Sequence, residues 1–162
     1  MRVEARGIEG AIAELDELAA RAADLSPVLE VAASDTRTLI DNSFRQSRGP
    51  DGVPWEGLTR ETMKRRRQGR NRDVRKGSIL YDTGRLKDSI ESTHTKSILE
   101  FGTNVEYAAY HQFGSGRMYR PFLPVAAGGA GYVLMTGGPA GRHWRDVRDM
   151  VIEYIRTGRI TG

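Results

Sequence analysis

The chain contains no cysteine among its 162 residues, which excludes disulfides, thiolate metal sites and thiol nucleophiles. Histidine is almost as scarce. His94, His111 and His143 offer no i,i+4 pair and no H-E-x-x-H, the spacings that a helix-borne metal site requires. Long apolar runs are missing too, none approaching the ~18 residues that cross a bilayer. The opening Met1-Arg2-Val3-Glu4-Ala5-Arg6 lacks the apolar stretch of a secretory signal. The expected setting is therefore the cytoplasm or a particle assembled there, without a membrane partner.

Catalytic patterns are equally thin. No G-x-S-x-G elbow is present, and no spacing supports a Ser–His–Asp triad. Gly137-Gly138-Pro139-Ala140-Gly141-Arg142 precedes a helical pattern as a phosphate cradle would. It lacks the Lys-Ser/Thr of a P-loop, and Pro139 removes a backbone donor. Gly114-Ser115-Gly116 fails at the third glycine of G-x-G-x-x-G. Asp82, Asp88, Glu91, Glu100 and Glu106 have none of the apolar isolation that raises a carboxyl pKa. The expectation is a protein that is not an enzyme, with no cofactor and no metal.

What the chain does have is charge gathered in one place. Residues 60–76 hold nine Lys or Arg against Glu61 and Asp73, a net of +7, leaving −3 for the remainder. A block of this kind is a solvated loop, a clamp on nucleic-acid phosphates or a contact for an acidic protein face. Lys64, Arg65, Arg66, Arg67, Arg70, Arg72, Arg75 and Lys76 are its contact candidates. No aromatic residue is interleaved with them, so the block would grip phosphates without reading bases.

Periodicity points to an α+β fold within a single domain over residues 1–162, a length that supports one core. Ile8, Ala11, Ile12, Leu15, Leu18, Ala19 and Ala22 recur at helical spacing. Ser26-Pro27 marks a new start, with Leu29, Ala32, Ala33, Thr36, Leu39, Ile40 and Phe44 on one face to about Gln46. Together these predict an N-terminal helical hairpin over residues 8–47, its apolar stripe covered by a sheet or by neighbouring subunits. Thr59 caps a short basic helix to about Gln68, and a basic loop completes residues 60–77. Asp82-Thr83 caps another short helix over 84–89. Strands over 90–94 and 97–101 form a hairpin of a small antiparallel sheet. A short helix is predicted over 105–113 and an extended arm over 117–124, held out of the α region by Pro121 and Pro124. Tyr132 to Met135 reads as a strand in a Gly-rich stretch, and a final helix runs from about Arg142 to Arg156, ended by Gly158.

Aromatic, glycine and proline residues concentrate between Ile79 and Pro124, with few groups capable of chemistry between them. That combination reads as a surface gripped by a partner. Tyr107, Tyr110 and Phe113 fall at i, i+3, i+6 on one helical face, where core packing is the competing reading. Trp55 lies in an otherwise polar loop and is expected, with Arg120 and Phe122 of the arm, to bury little in a monomer. Trp, Tyr and Arg are the residue types that carry interface energy, so these six are the interface candidates.

Trp55 after Gly52-Val53-Pro54, then Leu58 and Thr62, Ile79-Leu80 with Thr83-Gly84-x-Leu86, Gly102-Thr103, Tyr107-Ala108, His111-Gln112-Phe113-Gly114 and Arg120-Pro121-Phe122 form an ordered series. In this order and spacing the chain resembles the phage virion morphogenesis family, the tail-completion proteins of Mu-like and P2-like tailed phages. The resemblance covers residues 44–124. It departs from the pattern at the Gly-rich insertion, residues 125–141, where the family passes quickly into its last helix.

The resemblance implies a structural virion protein of the head–tail junction, a neck or tail-completion subunit that joins the tail to the DNA-filled head. It implies self-association in a ring, six being the expected number, with neighbouring neck, connector, tail-tube or tail-terminator proteins as partners. The basic loop would then line the channel in non-specific contact with genomic DNA, or face acidic ring proteins. A tail terminator or head–tail connector subunit is the alternative placement, and a DNA-binding packaging factor a further one.

Overall fold

Ser26 and Pro27 open a 21-residue helix because proline's fixed φ suits a first turn that needs no donor, and that helix organises the rest. The computed structural model describes residues 7–68, 79–114, 116–129 and 131–160. In chain order the elements are α1 (Ile8–Ala23), α2 (Ser26–Gln46), α3 (Arg60–Gln68), α4 (Arg85–Asp88), β1 (Glu91–His94), β2 (Leu99–Gly102), α5 (Ala108–Phe113), β3 (Val125–Gly128), β4 (Gly131–Leu134) and α6 (Gly138–Thr157). A single 3₁₀ turn, Gly116–Met118, lies between α5 and β3. The class is α+β, with an N-terminal helical pair, small antiparallel sheets, short helices and a C-terminal helix.

α1 and α2 meet at Asp24-Leu25, where the Asp24 carboxylate accepts from the Ser26 amide at 3.1 Å. They form a long bent pair, and α6 lies against both. Its C-terminal end meets α1, where Arg21 donates to the Ile155 carbonyl at 2.8 Å. Its N-terminal end meets the turn after α2, where the Ala140 amide donates to the Pro50 carbonyl at 2.7 Å. Gly138 makes that approach feasible. Its φ is +54°, and a side chain there would collide with the Asp51 carbonyl.

The core sits at the C-terminal half of α2. Ile40 and Phe44 pack with Trp55, Leu80, Leu86, Ile90, Val105, Ala108 and Phe122. Phe44 meets the edge of Trp55 at 5.8 Å between centroids and tilts onto Phe122 at 5.6 Å, the offset geometries that aromatic quadrupoles favour. β1 and β2 pair antiparallel with Glu91 opposite Gly102 and His94 opposite Leu99. β3 and β4 form a second two-stranded sheet, Val125 opposite Leu134.

The structure moves several predicted boundaries. The strand β3 was not expected, and α6 begins at Gly138, earlier than Arg142. Leu25, not Ser26, is the N-cap of α2. The predicted extended arm is a correction. After the 3₁₀ turn, Arg120, Pro121 and Phe122 are buried in the subunit, because Gln112 and Trp55 bind that backbone from inside. Of the basic loop, residues 69–77 lie outside the described residues, and Arg70, Arg72, Arg75 and Lys76 with them.

Candidate interface

An open cleft of about 670 Å³ separates α3 from α5. Thr59 shapes its first wall: its hydroxyl accepts from the Thr62 amide at 3.2 Å, capping α3. Thr62 and Arg66, one helical turn apart, then face the cleft. Arg66 donates to the Ile79 carbonyl at 3.1 Å and pairs with Asp82 at 3.4 Å. Leu58, Ile79, Leu80 and Leu86 give the cleft its apolar lining, while Tyr107, His111 and Met118 form the facing side.

Among the described residues the cations lining the cleft are Arg66, Arg85, Arg117 and Arg120, against Asp82 in the lining and Glu56 beside it. Arg120 is buried, and its Nε and Nη2 both donate to the Glu56 carbonyl at 3.2 and 3.0 Å. Desolvation pulls its pKa below the usual arginine value, with the Glu56 charge working the other way. Arg117 pairs with the Glu56 carboxylate at 2.8 Å. His111 Nδ1 donates to the Met118 carbonyl at 3.3 Å. Burial lowers its pKa, opposed by that hydrogen bond and aided by the charge of Arg120. His111 is therefore held neutral near pH 7.

No hydroxyl among the described residues is hydrogen-bonded to a histidine or carboxylate of the cleft. Thr59 and Thr62 bond each other at 2.9 Å. No group of three or more His, Asp or Glu is placed to hold a metal ion among the described residues. What the arrangement offers is an apolar floor with a cationic rim, a geometry of recognition.

The predicted interface residues divide sharply. Trp55, Arg120 and Phe122 are core side chains, so the expectation that they bury little in a monomer is corrected. The indole of Trp55 finds its partner on the far side of the chain, and Phe122 closes over Phe44. Tyr107, Tyr110 and Phe113 keep 41%, 68% and 36% of their surface exposed, against the core-packing reading of that face. Phe113 stacks on Tyr132 of β4 at 4.8 Å, and Tyr107 meets His111 edge-on. On α3, Lys64, Arg65 and Arg67 are exposed, whereas Arg66 turns inward.

Sequence reasoning missed Arg85 and Arg117 as cleft cations, and Gln112 as the residue that fixes the chain behind the cleft. The Gln112 amide donates to the Leu123 and Val125 carbonyls and accepts from the Phe122 and Leu123 amides. Its position between His111 and Phe113 in a short helix was the available signal. Also missed was how bare α1 remains: it buries no residue, and Ile8, Ile12 and Leu15 are 52%, 52% and 63% exposed.

A family model described as the phage virion morphogenesis family matches residues 7–144. The match extends to both sides of the ordered motif series, from α1 through β3 and β4 into α6. Mu-like prophage FluMu G protein 2 of Haemophilus influenzae is 26% identical over 127 residues, which cover 77% of this chain and 80% of that protein. No solved structure matches.

Proposed function

We propose a place in the particle for this chain, which belongs to the phage virion morphogenesis family: a subunit of the head–tail junction that completes the tail and joins it to the filled head. Membership makes it a phage structural and assembly protein. The junction, the ring and the absence of catalysis are our reading. The observation that carries it is the extent of the family match, which takes in both the exposed helix α1 and the cationic cleft. A subunit whose apolar side chains stand in solvent on α1, α5 and β4 is suited to repeated contacts with copies of itself and with neighbouring junction proteins. Its α3 supplies an exposed cationic surface for phosphate or for acidic protein faces.

The test is electron microscopy of lysates from a producing strain that lacks this gene. Filled heads beside separate, normal-length tails are expected. Abnormally long or absent tails would move the protein to tail termination, and intact joined particles would overturn the assembly role.

A further inference from the structure

Two surfaces of this chain are unmatched in opposite senses. The first is the outer half of α1, where Ile8, Ile12 and Leu15 recur at i, i+4, i+7 and so form one stripe, more than half exposed. Glu9 and Asp16 flank that stripe, and α1 carries four acids, Glu9, Glu14, Asp16 and Glu17, against Arg21 alone. Glu9, Glu14 and Asp16 make no ion pair among the described residues. The second surface is the cleft between α3 and α5, apolar within and net cationic at its rim. Arg85 makes no side-chain hydrogen bond or ion pair among the described residues, and Tyr107 and Met118 stand 41% and 49% exposed beside it.

The base of α1 and the cleft lie at opposite ends of α2. Arg21 joins α1 to the last turns of α6, next to the start of α2. Ser47, directly after α2, reaches Ile79 of the cleft through its hydroxyl at 3.5 Å. The 21 residues of α2 span about 30 Å between those two points; no residue of α1 lines the cleft and its stripe stays exposed, so α1 does not occupy the cleft of its own chain.

We propose that α1 of one copy docks in the α3–α5 cleft of the next, its Ile8–Ile12–Leu15 stripe on the apolar floor and its acids against Arg85 and the rim. The inference rests on the self-association in the functional reading above, and supplies its contact. An amphipathic helix laid in an apolar groove is a common recognition mode, and complementary charge fixes its register. Because the two surfaces differ, the contact is head-to-tail, the kind that generates a ring when the rotation closes.

A mixing experiment tests this with the full-length chain. Ile12→Asp disables the helix and leaves the cleft intact; Arg85→Glu with Met118→Asp disables the cleft and leaves the helix intact. All three substitutions are at exposed positions, and circular dichroism checks that each variant folds. In analytical ultracentrifugation the wild type is expected to oligomerise. Each variant alone should sediment as a monomer, its association weakened at least about thirtyfold. Mixed in equal amounts, they should form a 1:1 dimer that grows no further, since one good helix and one good cleft remain. Variants that still oligomerise like the wild type would overturn this contact while leaving the ring reading intact. A monomeric wild type, with no dimer from the mixture, would overturn both. A cleft variant that oligomerises normally but loses affinity for duplex DNA would assign the cleft to nucleic acid and overturn the proposal.

Discussion

The indole Nε1 of Trp55 donates to the carbonyl of Pro121 at 2.9 Å, across 66 residues of sequence. With the rings of Phe44 and Phe122 packed around it, this bond fastens the loop after α2 to the strand-like segment behind the cleft. Trp55→Ala is expected to cost about 3–5 kcal/mol, the range for removing a buried aromatic side chain. Trp55→Phe keeps part of the volume but orphans the Pro121 carbonyl, at about 1–3 kcal/mol. Urea unfolding of the purified protein separates the two. A Trp55→Ala protein as stable as the wild type would return Trp55 to the role of a surface contact.

That residue also shows where sequence stops being informative. α2 and α6 were legible because one apolar face per helix leaves a 3.6-residue period, and Gly158 at φ +73° marks the stop as a left-handed cap should. The capping threonine Thr59 was equally plain; the predicted Asp82-Thr83 cap was not met, since Gly84 is the N-cap of α4 with no side-chain cap bond. Trp55 was misread because its local surroundings are polar and its partners lie 11 residues back and 66 ahead. β3 was missed because Val125-Ala126-Ala127-Gly128 contains one β-branched residue and owes its extended form to pairing with β4. In the site, the aromatic helix and the basic helix were recognised separately. That they face one cleft depends on the chain path through residues 79–86, which no periodicity encodes.

Gln112 is expected to matter more than any charged residue near it. Its four hydrogen bonds satisfy backbone groups of Phe122, Leu123 and Val125, and the side chain is 2% exposed. Gln112→Leu preserves apolar volume but strands those groups, each at about 1–3 kcal/mol where water cannot replace the bond. A loss of at least about 3 kcal/mol is expected, read by urea unfolding, with faster amide exchange at Phe122 and Leu123. Unchanged exchange there would show that the segment holds itself without Gln112.

The basic helix should split by residue. Arg65 and Arg67 are exposed, so Arg65→Ala with Arg67→Ala should leave the unfolding free energy within about 0.5 kcal/mol of wild type while lowering the yield of infectious particles. Arg66→Ala removes the bond to the Ile79 carbonyl and the contact with Asp82, and should cost about 1 kcal/mol. Complementation of a deletion strain, alongside unfolding of each protein, distinguishes them. Full particle yield from the double variant would remove α3's outer face from assembly.

The junction of α2 and α6 carries a pH dependence. Thr36 gives its one hydroxyl proton to the Ala32 carbonyl at 2.7 Å, so its 2.8 Å bond to His143 is donated by the imidazole Nε2–H. Burial lowers the His143 pKa below 6.5, opposed by Asp35 and Asp146. A histidine whose folded pKa is depressed binds its proton more weakly when folded. Its contribution to stability is therefore complete above the unfolded value of 6.5 and lost as pH falls through the lower folded value. His111 shifts in the same direction. Asp24, lowered from 3.8 mainly by Ser26, titrates below this window. Stability is expected to decline from pH 7.5 to 5.5, and His143→Gln, which retains a donor toward Thr36 but does not titrate, should make the decline shallower. His111 contributes to the slope that remains, and a His143→Gln profile parallel to wild type would show that the α2–α6 contact is insensitive to this proton.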